Sequence, residues 1–300
     1  MISTNKIKKS LKLMLPISVL DRVQSLRRHW WKPDPRIAAA KENFMELNHS
    51  LPSGRIAMRP GIVWNVDPQS KNPFTWFCYQ SPEMVTEFDF FLRIRASRMR
   101  FLDLGANHGV FSLAFTFGRP AAKALAMDPS PLAFPILQNN LRLNPQCHIT
   151  PLQVAAGGGS GNLRMKLNWH HLEVIRDQNA VESDQIKIVP VRTVDSICEE
   201  YNFEPDLIKI DVEGHELAAL QGMEKTLRKS SAEFFLEIHP ELISELGYRV
   251  SDIANYLHEL DYEPWNLQGQ KLSFSWVNDQ IHVFWVFCRP AHTSVLSAQK

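Results

Sequence analysis

The sequence predicts an α/β fold in which a mainly parallel sheet carries helices on both faces, and three stretches predict it. From Arg100 to Leu113 the chain reads R-F-L-D-L-G-A-N-H-G-V-F-S-L: an apolar run ending in an acid, a small-residue turn, then an apolar helical pattern. That is the strand–loop–helix unit of nucleotide-binding α/β proteins. From Lys123 to Ser130 a second short strand again ends in an acid, and Asp128 stands 25 residues after Asp103 (128 − 103). A carboxylate about 20 residues past the first loop is where such folds hold ribose hydroxyls. From Asp206 to Glu216 a third apolar strand delivers Asp211 and Glu213 to its carboxyl end, and open α/β sheets bind ligands beyond those ends.

The first loop narrows the ligand. Gly105 and Gly109 admit positive φ and close backbone approach, Asn107 tolerates positive φ, and the loop offers amide groups at the start of the following helix. A pyrophosphate calls for G-x-G-x-x-G; this chain has G-A-N-H-G with Asp103 just before it. An acid there repels phosphate and suits a ligand bearing an ammonium and a sulfonium. S-adenosylmethionine is therefore expected in preference to NAD.

The remaining elements follow in order. The chain has 300 residues, is 44% hydrophobic and carries a net charge of +1. That is enough to bury one large core, and it gives no global attraction to nucleic acid. The first thirty-two residues are basic, with Lys6, Lys8, Lys9 and Lys12 before an apolar run too short to span a bilayer. Val19, Val23, Leu26 and Trp30 then share a helical face ringed by Arg22, Arg27, Arg28 and Lys32, so this segment is either a helix packed on the domain or a surface helix for an anionic membrane. Ile37 to Leu47 reads as a helix stopped by Leu51-Pro52-Ser53-Gly54. Ile56–Met58, Ile62–Val66 and Phe74–Tyr79 read as strands, and Val85–Ile94 as a buried helix. Beyond Asp128 a helix runs to Leu143, His148–Ala155 is the next strand, Gly157–Gly161 is a hairpin turn, and residues 170–185 form a polar loop over the site. Thr193–Ile197 opens a short helix, Ala232–His239 brings Glu237 and His239 to another strand end, Ser251–Leu260 is helical, and Ile281–Cys288 closes the sheet. Cys78, Cys147, Cys198 and Cys288 are scattered, without a CxxC pair, and read as reduced packing residues of a cytoplasmic protein.

The motifs D-L-G-A-N-H-G (Asp103–Gly109), M-D-P-S (Met127–Ser130), V-A-A (Val154–Ala156), T-V-D-S (Thr193–Ser196), I-K-I-D-V-E-G-H-E (Ile208–Glu216) and L-x-G (Leu220–Gly222) resemble the FkbM family of S-adenosylmethionine-dependent methyltransferases. The resemblance covers roughly residues 87–239, where the family often has Glu in place of Asp128. It implies a Rossmann-like, seven-stranded class I methyltransferase sheet, with six parallel strands and one antiparallel strand near its edge. The expected organisation is an N-terminal extension (1–54), a methyltransferase domain (55–290) and a tail (291–300). On the resemblance, Gly105, Ala106, Asn107 and Gly109 lie along the methionine portion of the cofactor, with Asp103 holding the ammonium directly or through water. Asp128, with Pro129 and Ser130 beside it, binds the ribose, and Ala155 lies near adenine.

The implied reaction is O-methylation of a sugar, glycolipid or polyketide-like hydroxyl, with Asp211, Glu213 and His239 as catalytic candidates and His239 nearest to a neutral-pH base. Glu216 is expected to brace its helix and Asp195 to cap one. A Mg²⁺ site from Asp195, Asp211, Glu213 and His239 has no local ligand spacing behind it, so no metal ligand is assigned. The competing readings are an NAD-dependent oxidoreductase and a non-catalytic S-adenosylmethionine-binding module.

Overall fold

The computed structural model describes residues 34–168 and 171–291. The basic N-terminal segment, the pair 169–170 and the tail from 292 lie outside the described residues. The chain runs through α1 (Pro35–Asn48), β1 (Arg55–Arg59), β2 (Ile62–Asn65), α2 (Lys71–Tyr79), α3 (Pro82–Ile94), β3 (Arg100–Leu104), α4 (Val110–Thr116), β4 (Lys123–Met127), α5 (Ala133–Leu143), β5 (Ile149–Leu152) and β6 (Ala155–Ala156). It continues with β7 (Gly161–Asn168), β8 (His171–Val174), β9 (Ile186–Arg192), α6 (Val194–Glu200), β10 (Leu207–Ile210), α7 (Glu216–Gln221), α8 (Glu224–Ser230) and β11 (Glu233–Ile238). The last elements are α9 (Pro240–Glu245), α10 (Val250–Glu259), β12 (Tyr262–Trp265), α11 (Phe274–Asn278) and β13 (Phe284–Pro290).

The main sheet has seven strands in the order β12-β13-β11-β10-β3-β4-β5. From β11 to β5 all pairs are parallel, while β13 is antiparallel to both of its neighbours. Six strands therefore run one way and one opposes them, second from the edge, as the resemblance implies.

Strand alternation sorts the residues onto two faces. In β3, Leu102 and Leu104 join a core with Ile208, Ile210, Phe234 and Leu236 beneath α6, α7, α8 and α10. Phe101 points the other way, into a core with Phe88, Phe91, Phe111, Phe115, Phe235 and Phe287. Most of these rings meet edge-on or tilted, as Phe91–Phe111 does at 5.0 Å and Phe90–Phe287 at 5.2 Å between centroids, while Phe101 stacks on Phe115 at 5.0 Å; such contacts are worth about 0.5–1.5 kcal/mol each beyond their buried area. α1 belongs to this face: Phe44 meets Tyr79 at 5.1 Å, and the Asn48 side chain accepts from the Ala57 amide at 2.8 Å.

Four local readings change. Phe74–Tyr79 is the helix α2 rather than a strand, because Phe74 and Cys78, four apart, are buried on one side, and burial of a helical face overrides the strand propensity of aromatics. The run His148–Ala155 divides: β5 stays in the main sheet, and Ala155–Ala156 crosses to a four-stranded sheet ordered β6-β9-β7-β8. Gly157–Gly161 is accordingly no hairpin turn, since β6 pairs with β9 while β7 pairs with β8 and β9. The expected loop over the site contains the strand β8. The strand β12 was not legible in the sequence, and it joins the sheet only through β13.

No described helix is long and apolar enough to cross a membrane. All four cysteines are free and buried, and burial pushes the Cys78 and Cys198 thiols up to about 11.

Candidate active site

The site is two clefts that meet over Gly105, at the carboxyl ends of the central strands. Gly105 has φ +80°, and a Cβ there would lie 1.8 Å from the Asp211 carbonyl oxygen, so only glycine lets the loop after β3 pass against the chain after β10. The Asp211 amide donates to the Leu104 carbonyl at 3.0 Å and locks that approach. Gly109, at φ 87°, starts α4.

The first cleft opens at the carboxyl ends of β3, β4 and β10. Gly105 and Asn107 line it on one side, Asp128, Pro129 and Ser130 on another, and Val154, Ala155 and Ala156 on a third. The Asp128 carboxylate accepts from the Asn107 amide at 2.7 Å and from the Ser130 amide at 2.8 Å, so one acid ties the loops after β3 and β4 together. The four-stranded sheet contributes an apolar wall of Leu163, Met165, Leu172 and Val174. Sequence reasoning missed this wall, although the alternation of Leu163, Met165 and Leu167 was its visible signal.

An acid beside an apolar slot suits a nucleoside. Among the described residues no Lys or Arg lines the cleft, and burial lowers the pKa of His215, leaving it neutral near pH 7. Nothing there offers charge to a pyrophosphate, whereas a cationic ligand meets Asp128, Asp211 and Glu213. These residues fit S-adenosylmethionine better than NAD.

Asp103 lies elsewhere. It is 1% exposed, outside both cleft walls, and accepts from the Ser112 hydroxyl of α4 at 2.6 Å. Its other oxygen is buried without a hydrogen-bond partner, and burial pushes its pKa up to about 6. Asp103 thus lines neither cleft, where the resemblance had it hold an ammonium group.

The second cleft shares Gly105, Asn107, Asp211 and Glu213 with the first. Its other walls are Phe74, Trp76 and Phe77 of α2, Glu87 of α3, Ala106, Phe111, Lys209 and Glu237. The parity that turns Leu207 and Phe235 onto the aromatic face also turns Lys209, Asp211, Glu237 and His239 there. Lys209 is 3% exposed; its ammonium donates to Asp211 Oδ2 at 2.8 Å, lies 3.8 Å from Glu87 and from Glu237, and sits 4.8 Å from the Phe111 ring. A lysine inside the apolar strand Leu207–Ile210 was itself the sequence signal, because lysines are almost never buried unpaired.

Burial opposes the Lys209 charge, yet Asp211, Glu87 and Glu237 outweigh it and raise its pKa. Burial likewise pushes Glu87 up to about 7 and Glu237 well above its usual range, while Lys209 and His239 hold Asp211 low despite its burial. Glu213 adopts φ 51°, a left-handed conformation costing a non-glycine residue about 1–2 kcal/mol, and it lines both clefts.

His239 is placed differently from the sequence expectation. Its Nδ1 pairs with Glu216 at 2.7 Å. Burial opposes the imidazolium, but that bond and the charges of Asp211, Glu216 and Glu213 bring its pKa up to about 10. An imidazole held protonated offers a proton near pH 7 rather than taking one. Glu216 also accepts from the Gly214 amide at 3.0 Å, bracing the turn into α7. Asp195 is remote from this cluster: it accepts from the Lys225 and Thr226 amides and caps α8, while Thr193 caps its own helix α6.

The sequence profile of the methyltransferase FkbM domain matches residues 103–264. The chain belongs to this family. A similar protein is the methyltransferase sdnD of Sordaria araneosa, 28% identical over an alignment 155 positions long, with 41% of this chain and 60% of that protein covered. The chain thus spans about three-fifths of the length of that relative. Among solved structures, the methyltransferase FkbM of Methylobacillus flagellatus is similar over 71% of this chain and 52% of that one, at 20% identity and a TM-score of 0.44. A SAM-dependent O-methyltransferase of Thermotoga maritima is similar over 68% and 64%, at 10% identity and a TM-score of 0.36. The FkbM match spans the strand-end acids of the two clefts, Asp128, Asp211, Glu213 and Glu237.

Proposed function

We propose that this FkbM-family chain is an S-adenosylmethionine-dependent O-methyltransferase acting on a hydroxyl of a polyol acceptor: a sugar, a glycolipid headgroup or a polyketide. The observation that carries the reading is Asp128, fixed by two loop amides on an apolar cleft whose wall, among the described residues, holds no Lys or Arg. The cofactor supplies an electrophilic methyl group when bound. Asp128 would hold the ribose hydroxyls, with Ala155, Met165 and Leu172 packing the base and Gly105 leaving room for the methionine portion.

Asp211 and Glu213, on the wall common to both clefts, would offset a positive sulfonium, orient an acceptor hydroxyl and take its proton. Holding the two reactants in register accounts for much of the rate in such transfers. The second cleft supports a polyol acceptor, since its aromatic side chains and carboxylates suit the C–H faces and hydroxyls of such molecules.

Calorimetry of the full chain with S-adenosylhomocysteine and, separately, NADH tests this reading. Binding of S-adenosylhomocysteine alone is expected. Asp128→Ala should weaken it by at least about thirtyfold, the scale of losing a charge-assisted hydrogen-bonding group. Binding of NADH and not of S-adenosylhomocysteine would overturn the proposal.

A further inference from the structure

The ends of β10 and β11 assemble a second feature that methyl transfer does not require. His239 is 7% exposed, and its Nε2 makes no hydrogen bond among the described residues. Around that nitrogen stand Glu213 Oε2 at 3.5 Å, Glu237 Oε1 at 3.7 Å and Asp211 Oδ1 at 4.0 Å. Asp211 and Glu237 also pair with each other at this centre; the contacts to Glu216 and Lys209 face away from it. Nδ1 of His239 is taken by Glu216. Lys209 takes Oδ2 of Asp211 and lies 3.8 Å from Oε2 of Glu237, leaving Oδ1 and Oε1 to face the imidazole.

We propose that His239 Nε2, Asp211 Oδ1 and Glu237 Oε1 form a binding site for a first-row divalent cation such as Mn²⁺ or Zn²⁺, with Glu213 as an adjacent fourth donor.

Three features carry the assignment. The first is convergence: one ligand atom from each of Asp211, Glu237 and His239 lies within 4.8 Å of the others. Ligands about 2.0–2.2 Å from a tetrahedral ion stand about 3.4 Å apart, and the three carboxylate oxygens stand 3.5 to 4.0 Å from Nε2. The second is the supporting shell. A metal-bound histidine characteristically donates its other nitrogen to a carboxylate, which fixes ring and tautomer, and Glu216 is that carboxylate; Lys209 orients the two acidic ligands in the same way. The third is composition: the carboxyl groups of Asp211, Glu213, Glu216 and Glu237 all converge on the His239 imidazole, and a divalent cation taking the place of the protons on His239 and Glu237 would keep their charges balanced. An imidazole nitrogen among the donors favours a transition metal over Mg²⁺ or Ca²⁺, which prefer all-oxygen sites.

Asp211, Glu213 and Glu237 line the second cleft, so open coordination positions would face it. A cation there would bind an acceptor oxygen and make its hydroxyl more acidic; this role, unlike the site itself, rests on the methyl-transfer reading. Binding would release to solvent whatever proton His239 and Glu237 carry.

The test is a Mn²⁺ titration of the metal-stripped full chain, followed by the electron paramagnetic resonance signal of the free ion, with Zn²⁺ as competitor. One Mn²⁺ per chain is expected, displaced by Zn²⁺. His239→Gln and Glu237→Gln should each weaken it by at least tenfold, and Glu216→Gln by about tenfold, the usual effect of removing an outer-shell partner. The exposed control Glu199→Gln should change nothing. Retained S-adenosylhomocysteine binding and near-ultraviolet circular dichroism establish that each variant is folded. No binding at millimolar Mn²⁺ or Zn²⁺, or binding indifferent to His239→Gln in a folded protein, overturns the metal site. A chain that binds Mn²⁺ as described but no S-adenosylhomocysteine keeps the metal site and loses the methyl-transfer reading.

Discussion

The two clefts share a wall at Gly105 and Asp211, yet they are built in opposite ways. The first is made by loops that follow β3 and β4 directly, closed by an apolar wall from the small sheet, with Asp128 binding the loops together. The second is made of side chains from five separate elements: aromatics of α2, Glu87 of α3, Phe111 of α4, Lys209 of β10 and Glu237 of β11. Its charges are buried and mutually dependent, whereas the first cleft depends on backbone shape and apolar contact. One region is specified by local sequence, the other by register between strands.

Substitutions can separate these two constructions. The largest effect is expected at their junction. Gly105→Ala places a Cβ 1.8 Å from the Asp211 carbonyl oxygen at φ +80°, where backbone cannot yield cheaply. The variant should lose S-adenosylhomocysteine binding, and its urea midpoint should fall by the equivalent of about 3 kcal/mol or more. Near-native values for both would mean that the loops are not interlocked.

A smaller effect is expected from Asp103, which lies beneath both clefts. Its pKa is about 6 in the folded chain and about 3.9 unfolded, so the folded state holds the proton more tightly. Its contribution to stability is therefore greatest below about pH 4 and is lost as the pH rises towards 6. Asp103→Asn should remove that component, on the order of 2–3 kcal/mol, narrowing the difference between urea denaturation at pH 4 and at pH 7. A wild-type difference unaltered by the substitution would show that burial of Asp103 is not what sets it.

The smallest effect belongs to the apolar wall. Met165 is 4% exposed, and Met165→Ala should weaken S-adenosylhomocysteine binding by about tenfold, in line with losing contact worth about 1–2 kcal/mol. Mn²⁺ affinity should stay unchanged. Equal loss of both ligands would show that the two clefts are one cooperative unit.

Several features were readable from residues alone because their causes are local. Apolar runs ending in Asp103, Asp128 and Asp211 marked strands, and the glycines at 105 and 109 marked backbone with positive φ. The nine residues from Ile208 to Glu216 carried the family. Glu216 was expected to brace its helix, and it does so by accepting from the Gly214 amide. Asp195 was expected to cap a helix, and it does, but the helix is α8 rather than its own. Capping chemistry is visible in a residue type; the partner is a matter of packing.

What the sequence determined by itself was the α/β alternation, the strand-end acids and the loop that must be glycine, because dihedral freedom and period-two burial act between near neighbours. Tertiary structure alone decided that Phe74–Tyr79 coils, that Ala155 leaves its strand for a second sheet, and that Asp103 lies under the clefts instead of in them. It also decided the protonation of His239, whose pKa moves from an ordinary 6.5 to about 10. That shift comes from Glu216 at one ring nitrogen and Asp211 and Glu213 facing the other, brought to one imidazole by the parallel pairing of β10 and β11, and the strength of a buried charge depends on such neighbours more than on residue type.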